Sequence, residues 1–208
     1  MRGMKKIFSL TLAVLLVIAS VLSLASCNRS FKKDEVEAAA RELLPKALTL
    51  YSLYYGKGLG YIFTGCSDGD YREADPVSLR KYGFESIDEL KALTRQTFSE
   101  KYSLDIFEKY LESYEANDTV YSYARYTENS TGEYILVYKN HDPIFDDRME
   151  YDLDTVTAVD STRKFVNLTV EATVKNEEGE SKRITLGFTM FEEALGWRIS
   201  SPCFGNYR

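Results

Sequence analysis

The sequence predicts an α+β domain, with helices grouped in its first half and an antiparallel sheet in its second. Apolar residues recur at the helical period from Asp34 to Tyr55 and again between Ser86 and Tyr114, and from Val120 onward the period drops to two. The connections between the later strands are only a few residues long, which favours an antiparallel meander over parallel crossovers. At 208 residues the chain is long enough for one domain whose core needs no disulfide or metal staple.

The chain opens with Arg2, Lys5 and Lys6, followed by the apolar run from Ile7 to Ala25, and no residue among the first 26 is acidic. That is the layout of a secretory leader, and the run is also long enough to span a bilayer. It ends Leu24-Ala25-Ser26-Cys27, which resembles the lipobox of bacterial lipoproteins. The resemblance implies that residues 1–26 are a signal peptide cut off before Cys27. It also implies that the Cys27 thiol carries a diacylglyceryl group, which places the protein in the cell envelope, lipid-anchored on the outer side of the cytoplasmic membrane. The alternative is an uncleaved anchor helix with an incidental cysteine. Residues 27–33 read as a short polar, lipidated tether and 34–208 as a single α+β domain. Without the first 26 residues, which carry three basic groups, the 182 that remain have a net charge of −9 instead of −6.

Within the domain, Val36, Ala40, Leu43, Leu44, Ala47, Leu48, Tyr51, Tyr54 and Tyr55 keep one face of a helix from Asp34 to about Tyr55. Asp34, Glu35 and Glu37 favour its N-terminal dipole. Pro45 should kink this helix or start a second one, and Gly56, Gly58 and Gly60 end it. Residues 61–83 show no clear period, and Cys66 to Asp75 reads as an exposed loop. Ser86-Ile87-Asp88-Glu89 is a capping-box pattern opening a helix to about Gln96, and a further helix is expected from Ser99 to Tyr114. Val120–Tyr126 and Tyr134–Lys139 flank the turn-rich Glu128–Gly132 as a hairpin. Thr155–Asp160, Lys164–Lys175, Lys182–Glu192 and Trp197–Ser201 are the remaining strands.

This order, with the capped helix around Phe84-Glu85-Ser86-Ile87-Asp88-Glu89-Leu90 and the final hairpin ending Gly196-Trp197-Arg198-Ile199, resembles small envelope lipoproteins with an NTF2-like (cystatin-like) fold. The implied architecture is N-terminal helices packed on a curved antiparallel sheet. The chain also resembles, more weakly, secreted inhibitors of cell-wall DL-endopeptidases, which share such helices and a similar last strand. Segments 61–83 and 139–152 fit neither pattern, and neither family supplies catalytic residues that map onto this chain.

Composition removes several classes of function. A pI near 5.0 argues against nucleic acid as a partner. A single histidine excludes zinc sites built on two or more, and three cysteines cannot form a four-thiolate cluster. His141 is the only histidine available for acid–base or nucleophilic work, and Asn140-His141-Asp142-Pro143 reads as a solvated turn. No phosphate-binding loop, dinucleotide fingerprint, nucleophile elbow or metalloprotease helix occurs, and no cofactor is implied. Asp142, Asp146, Asp147, Glu150, Asp152 and Asp154 are dense enough to suggest calcium, but they lack the spacing of a calcium loop. The stretch starting Asp68-Gly69-Asp70 would put Leu79 where the last ligand belongs. Both acidic stretches therefore read as solvated faces, and no metal is assigned.

With Cys27 acylated, Cys66 and Cys203 remain as a possible disulfide or as two separate thiols. All 16 tyrosines follow the leader. Tyr51, Tyr54 and Tyr55 lie on the first helix. Tyr121, Tyr123, Tyr126, Tyr134 and Tyr138 concentrate on the hairpin, with Tyr121 and Tyr123 on one strand face and Tyr126 on the other. Tyr121, Tyr123, Tyr134 and Tyr138 are the candidate ligand-binding residues, against a plain role in cross-strand packing. Trp197 reads as a core plug. The function expected is that of a non-catalytic, lipid-anchored envelope protein whose sheet face binds a peptide, glycan or protein partner, such as a cell-wall component or envelope protein. The alternatives are an inhibitor of cell-wall hydrolases, its acidic body complementing a basic enzyme, and a carboxylate-based hydrolase, for which no acid–base pair stands out.

Overall fold

Helix α1 (Lys33–Tyr54) buries Val36, Ala40, Leu43, Leu44, Ala47, Leu50, Tyr51 and Tyr54 along one stripe. In this computed structural model, which describes residues 31–116, 119–145, 148–162, 164–175 and 179–204, the helix runs unbroken through Pro45. Proline inside a helix costs about 3 kcal/mol, and the long buried stripe offsets that. The leader and Cys27 lie outside the described residues, among which no helix is long and apolar enough to cross a membrane. After α1 the amides of Tyr55 and Gly56 both donate to Tyr51 O, and Gly58 N donates to Ser52 O with φ at +71°.

The region from 61 to 83 is more ordered than its sequence suggests. Strands β1 (Ser67–Asp68) and β2 (Tyr71–Glu73) form a tight hairpin around Gly69, followed by helix α2 (Pro76–Tyr82). Asp75 caps α2 by accepting from Val77 N, Pro76 occupies its first position, and Gly83 ends it in the left-handed conformation. This helix buries none of its residues, so it leaves no apolar period to read.

Helix α3 (Ile87–Thr97) begins as its capping pattern requires, with Ser86 Oγ accepting from Glu89 N at 3.2 Å. The return bond is displaced by one residue: Glu89 Oε2 accepts from Glu85 N at 2.7 Å. Helix α4 (Glu100–Tyr110) is capped by Ser99 and stops four residues before the expected end, because Tyr114 enters a strand.

Ten strands are found among the described residues. Beyond the first two they are β3 (Tyr114–Ala116), β4 (Thr119–Ser122), β5 (Tyr126–Glu128), β6 (Ile135–Tyr138), β7 (Met149–Ser161), β8 (Phe165–Lys175), β9 (Ser181–Glu193) and β10 (Gly196–Ile199). The last four form the antiparallel meander, in the order β10-β9-β8-β7. A second sheet runs β1-β2-β6-β5, and β3 pairs with β4. The fold is therefore mixed α+β.

The expected strand Val120–Tyr126 is two strands with different partners: β4 turns back on β3, while β5 makes the hairpin with β6. Residues 123–125 break away because Ala124 N donates to Ser113 Oγ and Arg125 N to Tyr110 O. β7 also reaches back to Met149, so Glu150, Asp152 and Asp154 belong to a strand.

In β8, Val166, Leu168, Val170, Ala172 and Val174 are buried and alternate with an outward row running from Phe165 to Lys175. The inner face packs against α1, which contacts both β7 and β10. The outer face carries Thr157, Thr169, Thr185 and Thr189, along with Glu171 and Arg183. The β7 register shifts between Asp152 and Thr157. There Arg41 Nε and Nη2 donate to Leu153 O and Val156 O, and Glu37 Oε1 accepts from Ala158 N at 2.9 Å. Side chains of α1 thus satisfy the backbone groups that the bulge takes out of the ladder.

Candidate functional site: a tyrosine platform

The break at residues 123–125 positions a group of aromatic side chains. Arg125 is buried, its Nη1 donating to Tyr54 O at 2.7 Å and its Nη2 to Gly56 O at 2.6 Å. Tyr126, also buried, donates from its hydroxyl to Leu53 O and accepts there from Leu59 N. Both side chains turn inward to the end of α1, so the preceding Tyr123 is held outward.

Tyr123 is 45% exposed and stacks on Tyr138 of β6, with ring centroids 4.9 Å apart and planes 14° from parallel. Tyr71 of β2 lies opposite Tyr138 in the ladder, tilted against its ring at 5.5 Å and edge-on to Tyr123 at 6.4 Å. Its hydroxyl donates to Ala124 O at 2.7 Å, which fixes the ring against the 123–125 segment, and partial burial raises its pKa. Lys139 and Asp70 form an ion pair of 2.7 Å beside this group. The result is a partly exposed aromatic surface held by the β2–β6 ladder and by the Tyr71 hydroxyl bond to the 123–125 segment. It offers flat apolar faces with phenol hydroxyls at their edges.

Of the four candidate tyrosines, Tyr123 and Tyr138 are brought together. Tyr134, 43% exposed, belongs to the turn at the other end of β6, where its amide donates to Asn129 Oδ1. The side chain of Tyr121 lies outside the described residues. Tyr71, the third member, lies where the sequence suggests a loop, because the β1–β2 hairpin is too short to show a period. The alternation around Tyr71-Arg72-Glu73 is its only sequence signal. Arg125 has none, since a lone arginine among tyrosines looks solvated.

Five further tyrosines belong to the core, while Tyr114 is exposed. Tyr51, Tyr54, Tyr55, Tyr102 and Tyr110 are buried, and Tyr54 bonds Thr94 Oγ1 at 2.8 Å. Burial pushes the Tyr55 and Tyr110 hydroxyls up to about 12. Trp197 is buried on β10.

His141 differs from the solvated turn residue its sequence suggests. It is half-buried against the Tyr110 ring at 6.0 Å, and its Nε2 is buried without a hydrogen-bond partner. Burial, and then the nearby Arg125 cation, lower its pKa to about 4, so the imidazole is neutral at pH 7. Cys66 and Cys203 are not joined: both are free thiols, the first exposed and the second buried. Cys203 is fixed by Tyr151 Oη donating to its carbonyl at 2.5 Å, and burial pushes its thiol up to about 12.

Within the acidic stretches, Asp70, Glu150 and Asp152 enter ion pairs. Asp152 meets Arg183 at 2.6 Å, Glu150 meets Lys175 at 3.9 Å, and Glu171 also meets Arg183. Asp146 and Asp147 lie outside the described residues. Among the described residues no three His, Cys, Asp or Glu side chains gather as metal ligands.

Compared with protein-family models, curated proteins and solved structures, the chain matches none of them.

Proposed function

We propose that the protein is a non-catalytic, lipid-anchored envelope protein that binds a cell-wall component on the Tyr71–Tyr123–Tyr138 surface. The observation that carries this reading is the stacked, partly exposed Tyr123–Tyr138 pair, braced by Tyr71. Flat aromatic faces of this kind grip sugar rings or peptide side chains, at a small conformational cost. The leader and the Leu24-Ala25-Ser26-Cys27 motif support the location. The stacking of α1 on the inner face of the meander supports an NTF2-like arrangement of the fold. It also fills that face, so binding is assigned to the tyrosines of the second sheet.

The test is to incubate the detergent-solubilised chain with purified wall sacculi, then to measure both retention and released fragments. Retention without release of sugar or peptide is the expected result. Turnover of the wall, or no retention, would reject the proposal.

A further inference from the structure

Three exposed apolar residues lie at one end of the meander sheet. Val159 is 65% exposed near the end of β7, Phe165 44% exposed at the start of β8, and Leu195 87% exposed in the β9–β10 turn. The two turns they flank are neighbours, since Glu192 N donates to Lys164 O and the Phe165 and Phe191 rings are 4.7 Å apart. The N-terminus of α1 is at this same end: Glu37 accepts from Ala158 N, and Arg41, one turn further on, donates to Val156 O. The helix therefore starts beside the end of β7, from which the chain proceeds into the β7–β8 turn.

From Cys27 to Lys33, the first residue of α1, there are six backbone steps. Fully extended they span about 20 Å, which is short compared with the domain. A lipid on Cys27 therefore keeps the α1 start close to the bilayer, and the turns beside it close as well. We infer that this end of the sheet rests on the membrane, with Leu195 and Phe165 seated among the lipid headgroups. The inference depends on Cys27 being lipidated, as proposed above. Basic Lys33 and Lys164 are mixed there with acidic Asp160, Glu192 and Glu193, so the contact is apolar in character and tolerates salt. Its consequence is orientation. The two acyl chains provide the attachment, and the turns set which way the domain faces.

The test uses the full, lipidated chain carrying Cys66→Ser, reconstituted in vesicles of phosphatidylethanolamine and phosphatidylglycerol. A single environment-sensitive fluorophore is placed at Leu195→Cys or, at the opposite end of the sheet, at Ser181→Cys. The expected result is a blue-shifted emission at position 195 that nitroxide-bearing lipid quenches, at low and high salt alike, with water-like emission at 181. Water-like emission at 195 on vesicle-bound protein would overturn the inference while leaving the anchor intact. A blue shift that nitroxide lipid does not quench would overturn it in favour of a protein contact. A chain that fails to float with the vesicles and lacks a diacylglyceryl mass on Cys27 would overturn the inference together with the anchor.

Discussion

Arg125 places a buried cation against the carbonyls of Tyr54, the last residue of α1, and of Gly56 just beyond it, where the helix dipole concentrates partial negative charge. Its guanidinium has two roles: it caps the helix and it anchors the strand break that exposes Tyr123. Arg125→Ala leaves Tyr54 O and Gly56 O without these donors in a dry site, an expected loss of about 2–4 kcal/mol by denaturant melting. Gly58 sits beside the same group at φ +71°, where a Cβ would lie 2.2 Å from Tyr126 Oη and 2.3 Å from Arg125 Nη2. Gly58→Ala is therefore expected to cost about 2 kcal/mol or more. His141 gives a pH signature. Its folded pKa of about 4 lies below the ordinary 6.5, so the unfolded chain takes up the extra proton as pH falls between those values. The native chain should lose stability relative to His141→Gln from pH 6.5 down to 4 and no further below it. Parallel melting curves across that range would contradict the assignment. At the two unjoined cysteines, a thiol reagent should label Cys66 in the folded protein and Cys203 only after unfolding.

At the scale of elements, the interface between α1 and β7 shows how a helix can hold an irregular strand. Arg41→Ala removes the donors to Leu153 O and Val156 O, and a loss of about 1–2 kcal/mol is expected. Hydrogen exchange should rise selectively over residues 153–158, whereas uniform destabilisation without that local rise would contradict the pinning role. Elements with a buried stripe were legible: α1, α3 and the four meander strands fall within a few residues of where periodicity puts them, apart from the early start of β7. Elements without one were not. Helix α2 has caps but no buried face, β1 and β2 are two and three residues long, and β4 looks continuous with β5 until Arg125 turns inward. The candidate site was half legible for the same reason. Tyr123 and Tyr138 stand out by composition, whereas Tyr71 joins them only through the pairing of β2 with β6.

At the scale of the whole molecule, the proposed reading is a domain tethered at one end through Cys27 and binding its partner on the aromatic surface of its second sheet. With residues 1–26 removed, as proposed, the net charge of −9 disfavours attachment through anionic headgroups, which leaves the proposed lipid on Cys27 as the anchor. Cys27→Ala is accordingly expected to release the chain from the membrane fraction. Wall binding by the three-tyrosine surface is tested by titrating purified wall fragments against single alanine variants. Tyr123→Ala should weaken binding by about tenfold or more, as loss of an aromatic anchor does, while Tyr134→Ala, equally exposed but apart from the cluster, should bind as the native chain does. Equal affinity for all three proteins, with their folds intact, would contradict it.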